Sequence, residues 1–368
     1  MINAANTHII HLVSNREWGG GEQYVYDIVE CIRQESAARV TVVCKDIAAL
    51  ADRFRTIDGI NVVTAGLHGY FDVSSIRRIA SLLQKDGLHV IHVHNFEMAF
   101  VALVARKWSG DRNVRVVMTR HLVSKAKNSL LRNFIYRNID HIAFVSRLAY
   151  DEFFLSHPAI DPAKCSVLHN GVKKRSITRQ KDLREEFHLS ADCMLLMFHG
   201  RIVPEKGVDV LLNALAKLPN RVRWHLFVIG QGADEYVGRL SEHAAHCGIA
   251  RQVEWLGFQR EMLPWIAACD CGVLPSTWRE PFGLAVIEYM MMGKPVITTD
   301  NGAQKEYIDD GRTGILVPPS DAGALADAIV RLYDDNFGRE IGDKAKRHFD
   351  EHLSYGIFYQ KLLKIYGQ

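Results

Sequence analysis

EPFGLAVIE, residues 280–288, decides how this chain is read. The apolar run 271–275 before it has strand character, and 276–279 forms a short loop. Pro281 suits the first turn of a helix. Gly283 allows close backbone approach, and 284–292 has the apolar pattern of a helix. Gly293 ends that helix and Pro295 blocks its continuation. Glu280 is therefore expected in a loop at the carboxyl end of a strand, and Glu288 well inside the following helix. Eight helical positions separate the two carboxylates by about 12 Å along the axis. That is too far for two acids acting on one atom, and it suits the two ends of an extended polar ligand. The helix start between them offers free N–H groups, a seat for phosphate. The pattern fits a nucleotide-diphosphate sugar, with one carboxylate at the sugar and the other at the ribose.

Outward from this stretch, strands are expected at 194–199, 223–229, 252–256, 271–275, 295–299 and 315–317, with helices at 208–217 and 322–333. The first of these strands runs into HGRIVPEKG, residues 199–207. Arg201 and Lys206 project there from a loop that opens a helix. A planar fork and a compact point charge form a complementary pair for a diphosphate. Gly230 lies in a glycine turn after the second strand, and Phe258 follows the third, where it could frame a base. The triple methionine 290–292 reads as core filling.

The first half repeats the alternation, with strands at 8–13, 40–44, 61–65, 90–94, 114–119 and 141–146 and helices at 22–33, 73–84 and 99–108. Such alternation implies parallel sheets covered on both faces. Gly19, Gly20 and Gly21 read as a glycine loop that leaves backbone amides open to a phosphate or sugar. His121 follows the fifth strand, at the end where open α/β sheets bind ligands. The segment 125–137 carries Lys125, Lys127, Arg132 and Arg137 among Leu130, Leu131, Phe134 and Ile135. Its amphipathic helical spacing fits a solvated basic face or a surface resting on anionic lipid. A strand entering Asn170-Gly171 closes the first half. Residues 173–184 read as a linker, and 349–366 as a final amphipathic helix.

The 368 residues are too many for one ordinary core and point to two domains, 1–172 and 173–349. The terminal helix, about 350–368, is expected to pack back on the first. Apolar residues at 48% and charged residues at 24% are ordinary for a globular chain, and a net charge of +3 gives no argument for nucleic acid. Seven scattered cysteines lack zinc spacing and read as reduced thiols. The amino terminus lacks a signal-peptide pattern, and no apolar run reaches the roughly 20 residues of a membrane span. A cytoplasmic protein is expected. The chain has no Asp-x-Asp pair to hold a divalent ion on a diphosphate, so cations and helix N–H groups must meet that charge.

Taken together, the chain resembles the retaining GT-B glycosyltransferases of glycosyltransferase family 4. The resemblance is carried by EPFGLAVIE, by GRIVPEKG at 200–207, by GGGE at 19–22, and by LHNGV, GKPVITT and DGRTGILVPPSD. It implies two Rossmann-like parallel-sheet domains facing across a cleft, the first on the acceptor side and the second holding the nucleotide sugar. It implies that Glu280 contacts donor sugar hydroxyls and Glu288 the ribose, that Arg201 and Lys206 hold the diphosphate, and that His121 lies near the reacting sugar. Gly20, Gly21, Phe282, Gly283, Leu284, Gly230 and Phe258 complete the expected nucleotide-sugar site. No metal and no further cofactor are expected. The family's Gly-Gly-x-x-Glu appears here as Gly302-Ala303-Gln304-Lys305-Glu306, without the second glycine. The expected reaction moves a sugar, from a UDP more readily than a GDP donor, to a hydroxyl of a glycan or lipid-linked acceptor in cell-envelope polysaccharide synthesis. An epimerase or phosphorylase on the same architecture, and a binding subunit without turnover, are the alternatives. A glycosidase is disfavoured, because its paired carboxylates lie roughly 5–9.5 Å apart across one bond.

Overall fold

The computed structural model describes residues 6–83, 87–174, 177, 181–333 and 337–367. The chain divides into two compact units, Met1–His169 with Gly356–Gln368, and Asn170–Tyr355. The division falls before Val172, and the chain returns to the first unit at Gly356 rather than near residue 350.

The first unit holds β1 (Thr7–Val13), β2 (Arg39–Lys45), β3 (Asn61–Ala65), β4 (Leu88–Val93), β5 (Val114–Arg120), β6 (His141–Phe144) and β7 (Cys165–Val167), in spatial order β3-β2-β1-β4-β5-β6-β7. The second holds β8 (Met194–His199), β9 (Trp224–Ile229), β10 (Val253–Gly257), β11 (Cys271–Leu274), β12 (Val296–Thr299) and β13 (Ile315–Val317), in order β10-β9-β8-β11-β12-β13. Every strand pairing in both sheets is parallel. Strands covered by helices on both faces read as continuous apolar runs, and β1, β8 and β9 are buried along their whole length. Both sheets reverse direction of growth at one place, between β1 and β4 and between β8 and β11. Ligands of open α/β sheets bind outside the carboxyl ends of the strands at such a switch point.

Several local expectations change. The first long helix spans Gly20–Glu35, so Gly20 and Gly21 form its first turn rather than a loop. Gly19 is the N-cap, and its N–H donates to the Glu22 carboxylate at 2.9 Å. That is one half of a capping box; glycine has no side chain to supply the other. In 125–137 only the second part is helical, Leu130–Asn138, because the Ser129 hydroxyl caps it by accepting from Arg132 N at 3.2 Å. Pro281 sits in a bend ahead of its helix, Leu284–Met291, rather than in the first turn. The terminal helix is interrupted. Phe349–Leu353 is a π-helical turn, Ser354 is extended and bridges to Val172, and Tyr355–Gly367 then forms the last helix. Gln84, expected in a helix, and five residues of the expected linker lie outside the described residues. The helices Ala48–Arg55, Arg147–Phe154, Asp234–His246, Leu263–Ala268 and Phe337–His348 carry patterns too short or too polar to read from periodicity.

Candidate active site

In the second unit β8 and β11 are adjacent, and both end at the switch point. After His199 the chain passes Gly200 and Arg201 to a 3₁₀ turn, Pro204–Lys206, and then to the helix Val208–Leu215. Gly207 has φ 69°, and a Cβ there would lie 2.1 Å from the Pro275 carbonyl oxygen. Only glycine permits that approach. Thr277 N–H donates to the Glu205 carbonyl at 2.9 Å, which zips the loop after β8 to the loop after β11.

This zipping sets Lys206 against Glu280. Lys206 Nζ donates to Glu280 Oε1, which also accepts from Ser276 Oγ at 3.0 Å and Trp278 Nε1 at 2.9 Å. Glu280 is only 6% exposed, and a buried carboxylate needs such partners. Its backbone is held from the other side, since Ala303 N–H donates to the Glu280 carbonyl at 2.9 Å. A Cβ at Gly302 would strike Glu280 N at 2.8 Å, whereas Ala303 fits fully buried. The family's first glycine is thus needed for packing, and the replaced second one is not.

The helix Leu284–Met291 starts at Gly283, φ 87°, without a side-chain cap. Tyr307 OH donates to the Phe282 carbonyl at 2.6 Å and its ring packs on Phe282, which is 3% exposed. The Phe282 side chain is therefore core, and only its backbone can serve a ligand. Burial raises the Tyr307 hydroxyl pKa, helped by the Glu280 charge. Leu284 is half-buried at the helix start. Glu288 Oε2 lies 2.7 Å from His199 Nε2, and His199 Nδ1 lies 3.0 Å from Tyr289 OH. Arg201 is exposed and has no partner among the described residues. Gly230 follows β9, its N–H donating to the Gly257 carbonyl at 2.9 Å, and Phe258 is 62% exposed. His199, Ser276, Trp278 and Tyr307 lie outside the residues that the sequence marks as the site. His199 alone carried a signal, a histidine at a strand end next to Gly200.

In the first unit the switch point gathers imidazoles. His11 on β1 pairs in register with His92 on β4, and His94 and His121 follow the ends of β4 and β5. His92 Nδ1 lies 2.6 Å from Tyr366 OH and its Nε2 2.8 Å from Thr119 Oγ1. His94 Nδ1 lies 3.4 Å from His121 Nε2. Burial lowers the pKa of all four, His11 to about 3 and His121 to about 4. Phe358 and Tyr366 of the last helix meet Tyr24 and His92 edge to face. Gly20 is exposed and Gly21 half-buried at the helix start, beside the carboxylate of Glu22, which also accepts from Asn15.

Ring nitrogens of His11, His92 and His94 lie within 4.8 Å of one another. Both His92 nitrogens already have partners, Tyr366 and Thr119. All seven cysteines are free thiols, five of them buried. No helix among the described residues is long and apolar enough to cross a membrane.

A family model described as Glycosyltransferase Family 4 matches residues 18–175, and one described as Glycosyl transferases group 1 matches residues 194–335. The chain belongs to the family 4, group 1 glycosyltransferases. It is similar to N-acetyl-alpha-D-glucosaminyl L-malate synthase of Bacillus anthracis, 26% identical over 75% of this chain and 74% of that protein. D-inositol 3-phosphate glycosyltransferase of Mycobacteroides abscessus is 31% identical over 69% of this chain and 61% of its own length. The structure of HepE from Anabaena, solved with UDP and glucose, matches with a TM-score of 0.81 at 21% identity, over 97% of this chain and 98% of that one. The fold of this glycosyltransferase is GT-B, with two Rossmann-like parallel sheets.

Proposed function

We propose that this glycosyltransferase moves a sugar from a UDP-sugar to an acceptor hydroxyl with retention at the anomeric carbon and without a metal ion. The observation that carries the reading is the buried Glu280, held by Lys206, Ser276 and Trp278 beside an uncapped helix start. The bond from sugar to diphosphate breaks, and negative charge grows on the departing nucleoside diphosphate. Arg201, Lys206 and the N–H groups after Gly283 stabilise that charge. Glu280 orients the donor sugar hydroxyls rather than attacking the sugar. His121, in the first unit, is assigned to a sugar hydroxyl. Glu288, oriented by His199, takes the ribose hydroxyls. Gly20, Gly21, Leu284, Gly230, Phe258 and the Phe282 backbone complete the donor contacts. The acceptor proton passes to the leaving phosphate, so no protein base is needed.

UDP is favoured because the HepE structure holds UDP. The relatives are named for L-malate and D-inositol 3-phosphate, which supports a hydroxyl acceptor. For this chain we assign a glycan or lipid-linked acceptor of the cell envelope, reached from the cytoplasmic face. Leu130 at 93% exposure and Phe134 at 42%, flanked by Lys125, Lys127 and Arg137, are the surface that rests on anionic lipid. Sedimentation with anionic vesicles at low salt tests this, and no binding there ends it. The reaction itself is tested by turnover of UDP-sugars with and without chelator. Chelator is expected to leave the rate unchanged, while Glu280→Gln is expected to lower it at least a hundredfold. A strict divalent-ion requirement, or near wild-type turnover by the variant, refutes the reading.

A further inference from the structure

The first unit's imidazoles pose a question of protons. His94 leaves the carboxyl end of β4 and His121 that of β5, and those strands are paired in parallel, with Val93 opposite Met118. The two rings therefore meet, with His94 Nδ1 3.4 Å from His121 Nε2. The other rings packed on His94 are His11, His92 and Tyr24. Burial lowers the pKa of both histidines, so each ring is neutral at pH 7 and carries one N–H.

One hydrogen therefore lies between the rings, and it belongs to one or the other. If His121 Nε2–H donated, His94 would be left with its own proton on Nε2. That nitrogen is buried and has no hydrogen-bond partner. A buried N–H without an acceptor is the rarer orphan. If His94 Nδ1–H donates, His94 Nε2 is a bare lone pair and no N–H is stranded. His121 then carries its own proton on Nδ1, which has no hydrogen bond within the protein among the described residues.

We propose that His94 is a positioning residue: its Nδ1–H donates to His121 Nε2 and fixes His121 as an Nδ1–H donor toward the ligand. His121 presents a neutral hydrogen-bond donor to a hydroxyl or phosphate oxygen, and its Nε2 lone pair is occupied. It does not act as a base. The effect on turnover rests on the proposed contact of His121 with the donor sugar; the tautomer does not.

The test is ¹⁵N NMR of the full chain with ¹⁵N-labelled histidine at pH 7, joined to steady-state kinetics. His121 is expected as the Nδ1–H tautomer in the wild type. His94→Ala is expected to move it toward Nε2–H and to lower kcat about tenfold, the factor one hydrogen bond commonly controls. His94→Asn places an amide N–H where Nδ1–H was, and is expected to restore both tautomer and rate. Nε2–H at His121 in the wild type, or no change of tautomer in the alanine variant, overturns the proposal. A tautomer shift with no fall in kcat upholds the positioning and instead overturns the assignment of His121 to the sugar. Unchanged chemical-denaturation midpoints keep the comparison between folded proteins.

Discussion

Where β8 meets β11 the second unit gathers charge: Lys206, Glu280 and Glu288, with Arg201 exposed beside them. Where β1 meets β4 the first unit gathers uncharged imidazoles: His11, His92, His94 and His121. The strand order around the two switch points is the same. Topology thus chooses the place of a site, and side chains choose its chemistry. Charge at the second unit is affordable because each buried member has a partner. At the first unit no counter-charge among the described residues shifts His11 or His121, so burial drives them neutral instead.

The difference can be broken at its strongest point first. Lys206→Ala removes the cation from the charged switch point and leaves Glu280 buried with two neutral donors. Turnover is expected to fall by about 10²–10³, as for loss of one transition-state donor. Urea denaturation should show a loss of roughly 3 kcal/mol, the cost of orphaning one partner of a buried pair. Little change in either measurement would mean that the pair does not define this site.

The neutral switch point is broken by acid. His11 has a pKa of about 3 when folded and 6.5 as its ordinary value. Between those values the unfolded chain binds the extra proton, so stability is full above pH 6.5 and falls as the pH drops. The slope is about 1.4 kcal/mol per pH unit for one such imidazole, or roughly 2 kcal/mol by pH 5. Denaturation curves at pH 7 and pH 5 measure it, and His11→Leu should flatten the dependence by that amount. A stability independent of pH over this interval would show that the rings are not held neutral.

The smallest effect sharpens the charged side. Trp278→Phe keeps the ring and removes the Nε1–H donation to Glu280. A hydrogen bond to a charged acceptor controls about 1.5 kcal/mol, so kcat/KM is expected to fall roughly tenfold. A loss as large as that of Lys206→Ala would assign Trp278 a part beyond orienting the carboxylate.

Much of this was legible in residues. The strands at 61–65, 194–199 and 315–317 and the helix at 322–333 have the bounds that periodicity gives them. Glu280 falls after β11 and Glu288 inside the following helix, as the Pro281, Gly283 and Gly293 punctuation implies. What periodicity misses is capping and long-range contact. Gly20 and Gly21 look like a loop until Glu22 is seen closing the helix start. The break at Ser354 depends on Val172, far away in the chain. His199 and Trp278 gain a role only from carboxylates that other segments bring to them.

The sequence by itself determined the alternating parallel architecture and the identity of the acids and cations, because apolar period and glycine and proline placement act over a few residues. The tertiary structure alone decided which charges are paired, which imidazoles stay neutral and which nitrogen meets which. Those depend on burial and on strand register, and both arise only when segments distant in sequence share one switch point.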